Sequence, residues 1–549
     1  MRRVLLWLVA IGCGGHPGAG PDAAPPADAA PDAPPLVSSL PSCSATSDPC
    51  AQADLAASGH VISPAIFGDG IEWDNDGQDV LEPDPTGQTP GTLRPDVMTA
   101  LAAAQLTVMR YPGGTLADMF HWQQAVGPMA SRTPQVTFSG SELPAFGPDE
   151  FASFAHQLGS DILLTVNVAT GTPDEAAGWI AHWKAAGVSV KYVEVGNETY
   201  LGGPDFQALD PVSYAQRFDA YAQAIRAVDP AIQVGAIGTL DTSSWCYPNC
   251  ATHPWNEQVL LNTTQKADFF AVHNSYAPGT DQDGQAVYEA MLSDPTFMAL
   301  DNTLIAGDID RFGNAQTKGA PIAITEHASY FLAPDGADLD TIRSDIGRNQ
   351  TWAAALYSAL VFDRYLADAR VQLVTHINPL SYIWQAPVGV TDPTLATDLQ
   401  HYDARPTVSP YGLVFAAYRA LAAATDVPAT VTSSPTIDTA AIGFVPALTA
   451  TPLVDAIAAR GASASWMFVV NRSLTTDLTV GIVLTDLPAG ATTLAVDELS
   501  GDYLGKNLPG MPPQVGWTTV LSGALPADHG AFGTTISVPK ATLVRVRVQ

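Results

Sequence analysis

The chain has 549 residues, more than one ordinary domain holds, so two folded units with extensions are expected. Hydrophobic residues make up 46% and charged residues only 14%, which provides for a large core and excludes a globally disordered chain. The formal net charge of −31 repels polyanions, so a nucleic-acid partner is excluded and a neutral substrate is favoured over a densely sulfated one.

Residues 1–13 read as an export signal. Arg2 and Arg3 supply the basic start, and 4–11 an apolar stretch too short for a permanent bilayer-spanning helix. The small residue before the lone Cys13 resembles a bacterial lipobox, in which that cysteine is lipidated after cleavage. This predicts an outer-membrane or cell-surface lipoprotein of a bacterium, touching the membrane only through the lipid on Cys13; plain secretion is the alternative. Residues 14–43, dominated at first by Pro, Ala, Gly and Asp, read as a disordered tether. Cys13 apart, four of the five cysteines remain, in two close pairs: Cys43 with Cys50 and Cys246 with Cys250. In an exported protein an even remainder points to disulfides. Two local loops are preferred among the three possible pairings, and over a zinc site, whose usual two-residue spacing is missing.

From residue 60 onward, strand-like and helix-like runs alternate. Strands are predicted over 61–73, 106–110, 162–168, 190–195, 232–237, 269–272, 322–325 and 371–377. Helices are predicted over 95–104, 151–158, 173–186, a long 342–367 and 409–424. The clearest helix carries Tyr214, Phe218, Tyr221, Ile225 and Val228 on one apolar stripe. Eight alternations fit a (β/α)8 barrel with extended loops, placed at 44–425, and a doubly wound open sheet is the alternative. After residue 427 the pattern turns to short Thr- and Val-rich runs separated by Pro and Gly turns. That reads as an antiparallel β-sandwich over 426–549.

Two glutamates close strand-like runs at the start of polar loops: Glu198 after Lys-Tyr-Val-Glu-Val-Gly-Asn, and Glu326 after Pro-Ile-Ala-Ile-Thr. Counted along the chain they follow the fourth and seventh strands, at the rim where such barrels carry their chemistry. Glycosidic cleavage needs such a pair: one carboxyl protonates the leaving oxygen, while the other attacks or activates water. A strand-end glutamate also serves as a cap or an ion-pair partner, which is the structural alternative for each.

Several segments in order resemble the retaining glycosidases of clan A, most of all the α-L-arabinofuranosidases of glycoside hydrolase family 51. They are Ile66-Phe67-Gly68 with Glu72, Arg110-Tyr111-Pro112-Gly113-Gly114, His121-Trp122 with Gly127-Pro128, Gly196-Asn197-Glu198, Val272-His273 with Tyr276, Gln372-Leu373-Val374 with Asn378, and Phe468-Val469-Val470-Asn471-Arg472. The resemblance spans residues 60–549 and implies the barrel-plus-sandwich architecture. It implies Glu198 as acid/base, Glu326 as nucleophile and Asn197 as the ligand of the sugar 2-hydroxyl. Arg110 and Tyr276 are expected to supply charge and a hydroxyl to the nucleophile. Glu72, His273, Trp122 and Asn378 complete the expected substrate contacts. The bland readings are a structural ion pair for Arg110, a solvated loop acid for Glu72, and core positions for His273 and Trp122. Thr115, Thr199, Tyr200 and His327 depart from the family pattern, so the resemblance fixes the reaction type more firmly than the sugar.

No cofactor and no metal are expected. The 11 histidines are scattered, and the acidic turns 74–77 and 281–284 lack full calcium-ligand spacing. The favoured function is exo-acting release of terminal α-L-arabinofuranosyl units from a neutral glycan. The alternatives are a β-xylosidase, a β-glucuronidase-like enzyme, and a non-catalytic carbohydrate-binding surface protein. The last would dispense with one of the two glutamates.

Overall fold

The computed structural model describes residues 36–138, 140–240, 255–334, 336–379, 386, 388–391, 404–525 and 530–549. Cys13, Cys246 and Cys250 lie outside them.

Eight parallel strands close into a barrel in chain order. They are β1 (Gly68–Gly70), β2 (Val108–Tyr111), β3 (Asp161–Val166), β4 (Tyr192–Val195), β5 (Gln233–Ile237), β6 (Phe269–Thr280), β7 (Ile322–Phe331) and β8 (Val371–Ile377). The register runs from Asp69 beside Met109 round to Thr375 beside Gly68, which closes the ring. The strands are buried on both faces, so they read as continuous apolar runs rather than alternating ones.

A helix follows each strand: α1 (Pro95–Ala104), α2 (Pro148–Leu158), α3 (Pro173–Ala185), α4 (Pro211–Val228), α5 (Trp255–Asn262), α6 (Gln285–Phe312), α7 (Trp352–Ala367) and α8 (Pro410–Arg419). Many of them start with proline, whose fixed φ suits the first turn and whose missing N–H is not needed there. Side-chain caps reinforce the starts: Asp210 accepts from the N–H groups of Val212 and Ser213, and Ser409 from Gly412. The (β/α)8 barrel is therefore the observed fold.

A four-stranded and a six-stranded sheet pack face to face as the sandwich. Their inner faces form a second apolar core that includes Val427, Met467, Val469, Ile482, Val496 and Val546. One strand of the four comes from the other end of the chain. Cys50–Asp54 runs antiparallel to Ala429–Thr432 and parallel to Leu478–Thr485. The expected barrel boundary at residue 44 is thus corrected: the barrel begins after this strand, and the sandwich is closed by the N-terminal segment. The end of the expected tether is docked as well, with the N–H of Leu36 donating to Ala524 and that of Ser39 to Gly533. The Cys43–Cys50 disulfide, with Cα atoms 5.4 Å apart, holds this segment against the sheet.

Two helix expectations also change. The single long helix over 342–367 is Leu339–Ile346 followed by α7, separated by a 3-10 turn at Gly347–Gln350 and capped anew by Thr351. Helix α6, which the sequence reading passed over, buries Ser293, Asp294, Asp301 and Asn302 beside its apolar residues and contains Pro295, so its apolar stripe is blurred.

The two units share a tight seam. Trp352 at the start of α7 donates its indole N–H to the carbonyl of Ala541 at 2.6 Å. Arg472 reaches from the sandwich to the carbonyl of Leu292 at 2.9 Å and to Asp455 at 2.6 Å. A hairpin, Thr436–Thr439 with Leu448–Pro452, extends from the sandwich side across to α6.

Candidate active site

The site is organised around Arg110, whose side chain enters the barrel from β2 and is only 2% exposed. Its Nε donates to Glu194 Oε2 at 2.8 Å, Nη1 to Glu326 Oε1 at 2.5 Å and Nη2 to Asn197 Oδ1 at 2.6 Å. A planar guanidinium spreads its donors in a rigid fork and so fixes three separate acceptors in one plane, where a lysine would offer only a compact point charge. Glu194, fully buried in the middle of β4, is held from two more strands: Thr165 donates at 3.0 Å and Thr325 at 2.6 Å. Burying these charges is costly, and only this convergence of opposite charge and donors offsets the cost.

Glu326 sits on β7 beside His273 on β6. Its Oε2 accepts from the Tyr276 hydroxyl at 2.7 Å. Burial pushes the Glu326 carboxyl up, but His273, Arg110 and the Tyr276 donor together prevail and hold it below the usual glutamate range. His273 Nδ1 lies 3.0 Å from Glu198 Oε1 and 3.5 Å from Glu326 Oε2. The two glutamate oxygens therefore lie no further apart than those two lengths end to end. Burial would lower the imidazole, yet the charges of Glu326 and Glu198 raise it, so it is favoured as a cation between them.

The turn that carries Glu198 is pinned from below. Gly196 has φ +88°, and a Cβ there would meet the Val168 side chain at 2.4 Å. Asp118 accepts from the N–H of Asn197 at 2.7 Å and of Val168 at 3.0 Å. Burial pushes the Asp118 carboxyl up to about 7, against the pull of those backbone donors. Glu198 itself has φ +42°, in the left-handed region, and Tyr200 Oη lies 3.5 Å from its Oε1.

Glu72 faces the cluster from the loop after β1. Burial and then the charge of Glu326 raise its carboxyl, while Arg110 and the side chain of Asn378 pull it down. Gln78 donates to its Oε2 at 2.8 Å. That contact comes from an unusual turn, since residues 75–78 all have φ between +51° and +66°. Asn and Asp tolerate this region and Gly prefers it, which is why the expected acidic turn adopts it. At Gly114 a Cβ would come within 3.0 Å of Glu326 Oε1, so the Gly-Gly element lets the backbone approach the carboxylates.

Of the expected residues, the structure brings together Glu198, Glu326, Asn197, Arg110, Glu72, His273, Tyr276 and Asn378. Trp122 is corrected: its indole N–H donates to the Glu175 carbonyl, and its ring packs on Trp179 and His182 beside α3. It belongs to the aromatic layer outside the strands. Sequence reasoning missed Glu194, Asp118 and Gln78. A lone glutamate inside an apolar strand run was the available signal for Glu194. Asp118 and Gln78 carried none, because their roles come from turns that bring distant segments together.

Residues 100–182 match the family model described as the alpha-L-arabinofuranosidase 1 domain. A probable alpha-L-arabinofuranosidase C of Aspergillus flavus is 30% identical over 203 residues, 33% of this chain and 40% of that one. The chain thus spans well under half the length of the first curated relatives it matches. An intracellular exo-alpha-(1->5)-L-arabinofuranosidase of Bifidobacterium longum is 27% identical over 463 residues, covering 76% of this chain and 77% of the relative. In fold, the chain is similar to an alpha-L-arabinofuranosidase of Thermotoga maritima in complex with arabinose, with a TM-score of 0.72 at 20% identity, over 91% of this chain and 99% of that one. A family 51 arabinofuranosidase of Xanthomonas axonopodis pv. citri gives a TM-score of 0.73 at 20% identity, over 91% and 100%.

Proposed function

We propose that this chain, a family 51 α-L-arabinofuranosidase-like protein, is a retaining glycoside hydrolase that releases terminal α-L-arabinofuranosyl units from a neutral glycan. The observation that carries the proposal is the pair Glu198 and Glu326, both within 3.5 Å of His273 Nδ1. Retaining enzymes hold their carboxyls about 5–5.5 Å apart, and inverting enzymes about 6.5–9.5 Å. Two carboxylates that share one imidazole suit the shorter spacing.

In the first step a Glu326 oxygen bonds to the anomeric carbon as the glycosidic bond breaks, and Glu198 gives its proton to the leaving oxygen. In the second step water attacks the anomeric carbon, Glu198 takes its proton, and the ester to Glu326 breaks. Glu326 suits the nucleophile's part because His273, Arg110 and Tyr276 keep it ionised. Asn197 has its Oδ1 tied to Arg110, while its buried Nδ2 has no partner among the described residues; it is therefore aimed to serve a sugar hydroxyl. Arg110 is buried and ion-paired to Glu194 and Glu326, so its charge is already matched within the protein, which favours a neutral sugar over a uronic carboxylate.

The experiment is hydrolysis of an aryl-glycoside panel containing α-L-arabinofuranoside, β-xyloside, β-glucoside and β-glucuronide. Release from the arabinofuranoside, abolished in Glu326→Ala, supports the reading. Turnover of another member alone would replace the sugar, and silence from a folded sample would favour the binding-protein alternative.

Export with a lipid on Cys13 is part of the proposal. The Cys43–Cys50 disulfide supports an oxidising compartment. Partition of the protein into detergent, lost in Cys13→Ala, tests the anchor.

A further inference from the structure

The hairpin that crosses from the sandwich ends in a tight turn between Ile442 and Val445, which exchange backbone hydrogen bonds at 2.9 and 3.0 Å. Val445 is buried in the core shared with the barrel, so the turn is anchored and not merely laid on the surface. Its tip holds Gly443 at φ +57° and Phe444. The N–H of Phe444 donates to the carbonyl of Pro278 on β6 at 2.8 Å. The fit leaves no slack: a Cβ on Gly443 would lie 2.1 Å from that carbonyl, and one on Gly279 would lie 1.9 Å from the Phe444 ring.

From Phe444 a line of rings leads to the reacting carboxylate. Phe444 stacks on Tyr330 with centroids 6.0 Å apart and planes 24° apart. Tyr330 meets Tyr276 edge to face at 5.7 Å. The pairing of β6 with β7 sets Pro278 beside Tyr330 and Tyr276 beside Ala328, so the two tyrosines project from neighbouring strands. Tyr276 then donates to Glu326 Oε2.

We propose that Phe444 is a positioning residue: the sandwich domain completes the active site by clamping Tyr330 against Tyr276 and so fixing the hydroxyl that donates to Glu326. Aromatic pairs of this geometry add to area burial and favour one ring orientation. A donor to the charged form lowers a carboxyl's pKa, so loosening Tyr276 must raise that of Glu326. The other charged and titratable groups facing Glu326 among the described residues are Arg110 from β2, His273 from β6, Glu72 from the loop after β1, Glu198 across the imidazole and Tyr200 just beyond it. The kinetic arm of the test rests on the proposed glycosidase reading, and the spectroscopic arm does not.

The test uses the full chain with Phe444→Ala, the ring-retaining Phe444→Tyr, and Tyr276→Phe as reference. Phe444→Ala is expected to lower kcat on an aryl arabinofuranoside about ten- to a hundredfold, the cost of a displaced catalytic group, with a smaller change in KM. The acid limb of kcat/KM should move to higher pH, in the direction of Tyr276→Phe, and Phe444→Tyr should restore both. Thermal unfolding of each variant, with assays well below the transition, separates this from loss of fold. An unmoved acid limb, or a change confined to KM, overturns the proposal and leaves Phe444 a wall of the cavity. If the wild type turns over no glycoside, the functional reading fails, and 13C-glutamate NMR decides the inference alone. The Glu326 resonance, assigned with Glu326→Gln, must then titrate higher in Phe444→Ala; an unchanged titration refutes the proposal.

Discussion

Inside the barrel, Arg110 stands among Glu194, Glu326 and Asn197 with every nitrogen hydrogen-bonded. On the outer side of the same strands, between β1, β7, β8 and α8, four other polar side chains are equally buried: Asp69, His327, His376 and Tyr411. There the His376 ring stacks on Tyr411 at 4.4 Å and meets His327 edge-on at 5.1 Å. Both nitrogens of His376, Nδ1 of His327, Oδ2 of Asp69 and the Tyr411 hydroxyl have no hydrogen-bond partner among the described residues. Burial pushes Asp69 well up, His376 down to about 3 and His327 well down, so the neutral form of each is favoured. Two clusters of similar burial thus settle differently. Charge persists where opposite charge and donors converge, and elsewhere the low-dielectric interior removes it.

The largest way to break this contrast is Arg110→Ala. It leaves Glu194 and Glu326 buried without their cation, which should cost about 3–5 kcal/mol of stability along with activity. Denaturant unfolding of the folded protein reads the first loss, and aryl-glycoside turnover the second. In the outer cluster, by contrast, His376→Leu removes ring contacts but no hydrogen bond among the described residues, and should leave stability near neutral pH within about 1.5 kcal/mol, since a packed apolar replacement can be neutral. If both substitutions cost the same, the distinction fails.

Glu198→Ala should slow substrates with poor leaving groups by about 10²–10⁴-fold and those with good ones far less, because the latter need little protonation. Equal loss across a leaving-group series would remove Glu198 from the acid's part.

The outer cluster also gives a pH signature. The folded-state pKa of His376 lies below its unfolded value, so its contribution is present above about pH 6.5 and is lost as pH falls toward about 3. Each pH unit within that window costs up to about 1.4 kcal/mol. Unfolding of His376→Leu should fall off less steeply on acidification than that of the wild type, and an unchanged slope would mean that His376 titrates normally. The smallest effect is expected at Asp118→Asn. Asparagine keeps one acceptor for the turn below Glu198 and loses the other, so about 1 kcal/mol of stability and a modest part of kcat should go.

How much of this was legible follows from where each signal lives. Glu198 and Arg110 stand at strand ends and Glu326 inside β7, each within a short motif, and the barrel brings such strands together whatever the loops do. Glu194 was visible as a charge in an apolar run, but its partners Thr165 and Thr325 come from strands far apart in sequence. The pairing of Cys50–Asp54 with the sandwich has no local signature at all, since sheet neighbours are chosen by patterns elsewhere in the chain. Helix α6 escaped because buried Asp294, Asp301 and Asn302 interrupt the stripe that marks a helix. Trp122 was misplaced because an aromatic near a motif suits a pocket wall and a core equally well, and only packing decides.

The most direct test of the central claim is intact and peptide mass spectrometry of Glu198→Ala after exposure to an aryl α-L-arabinofuranoside with a good leaving group. Without its base the enzyme should accumulate a covalent adduct of one anhydropentose unit, carried by the peptide that contains Glu326. Burst release of the aryl group without an adduct, or an adduct on any other residue, would contradict the assignment of Glu326 as the nucleophile of a retaining glycosidase.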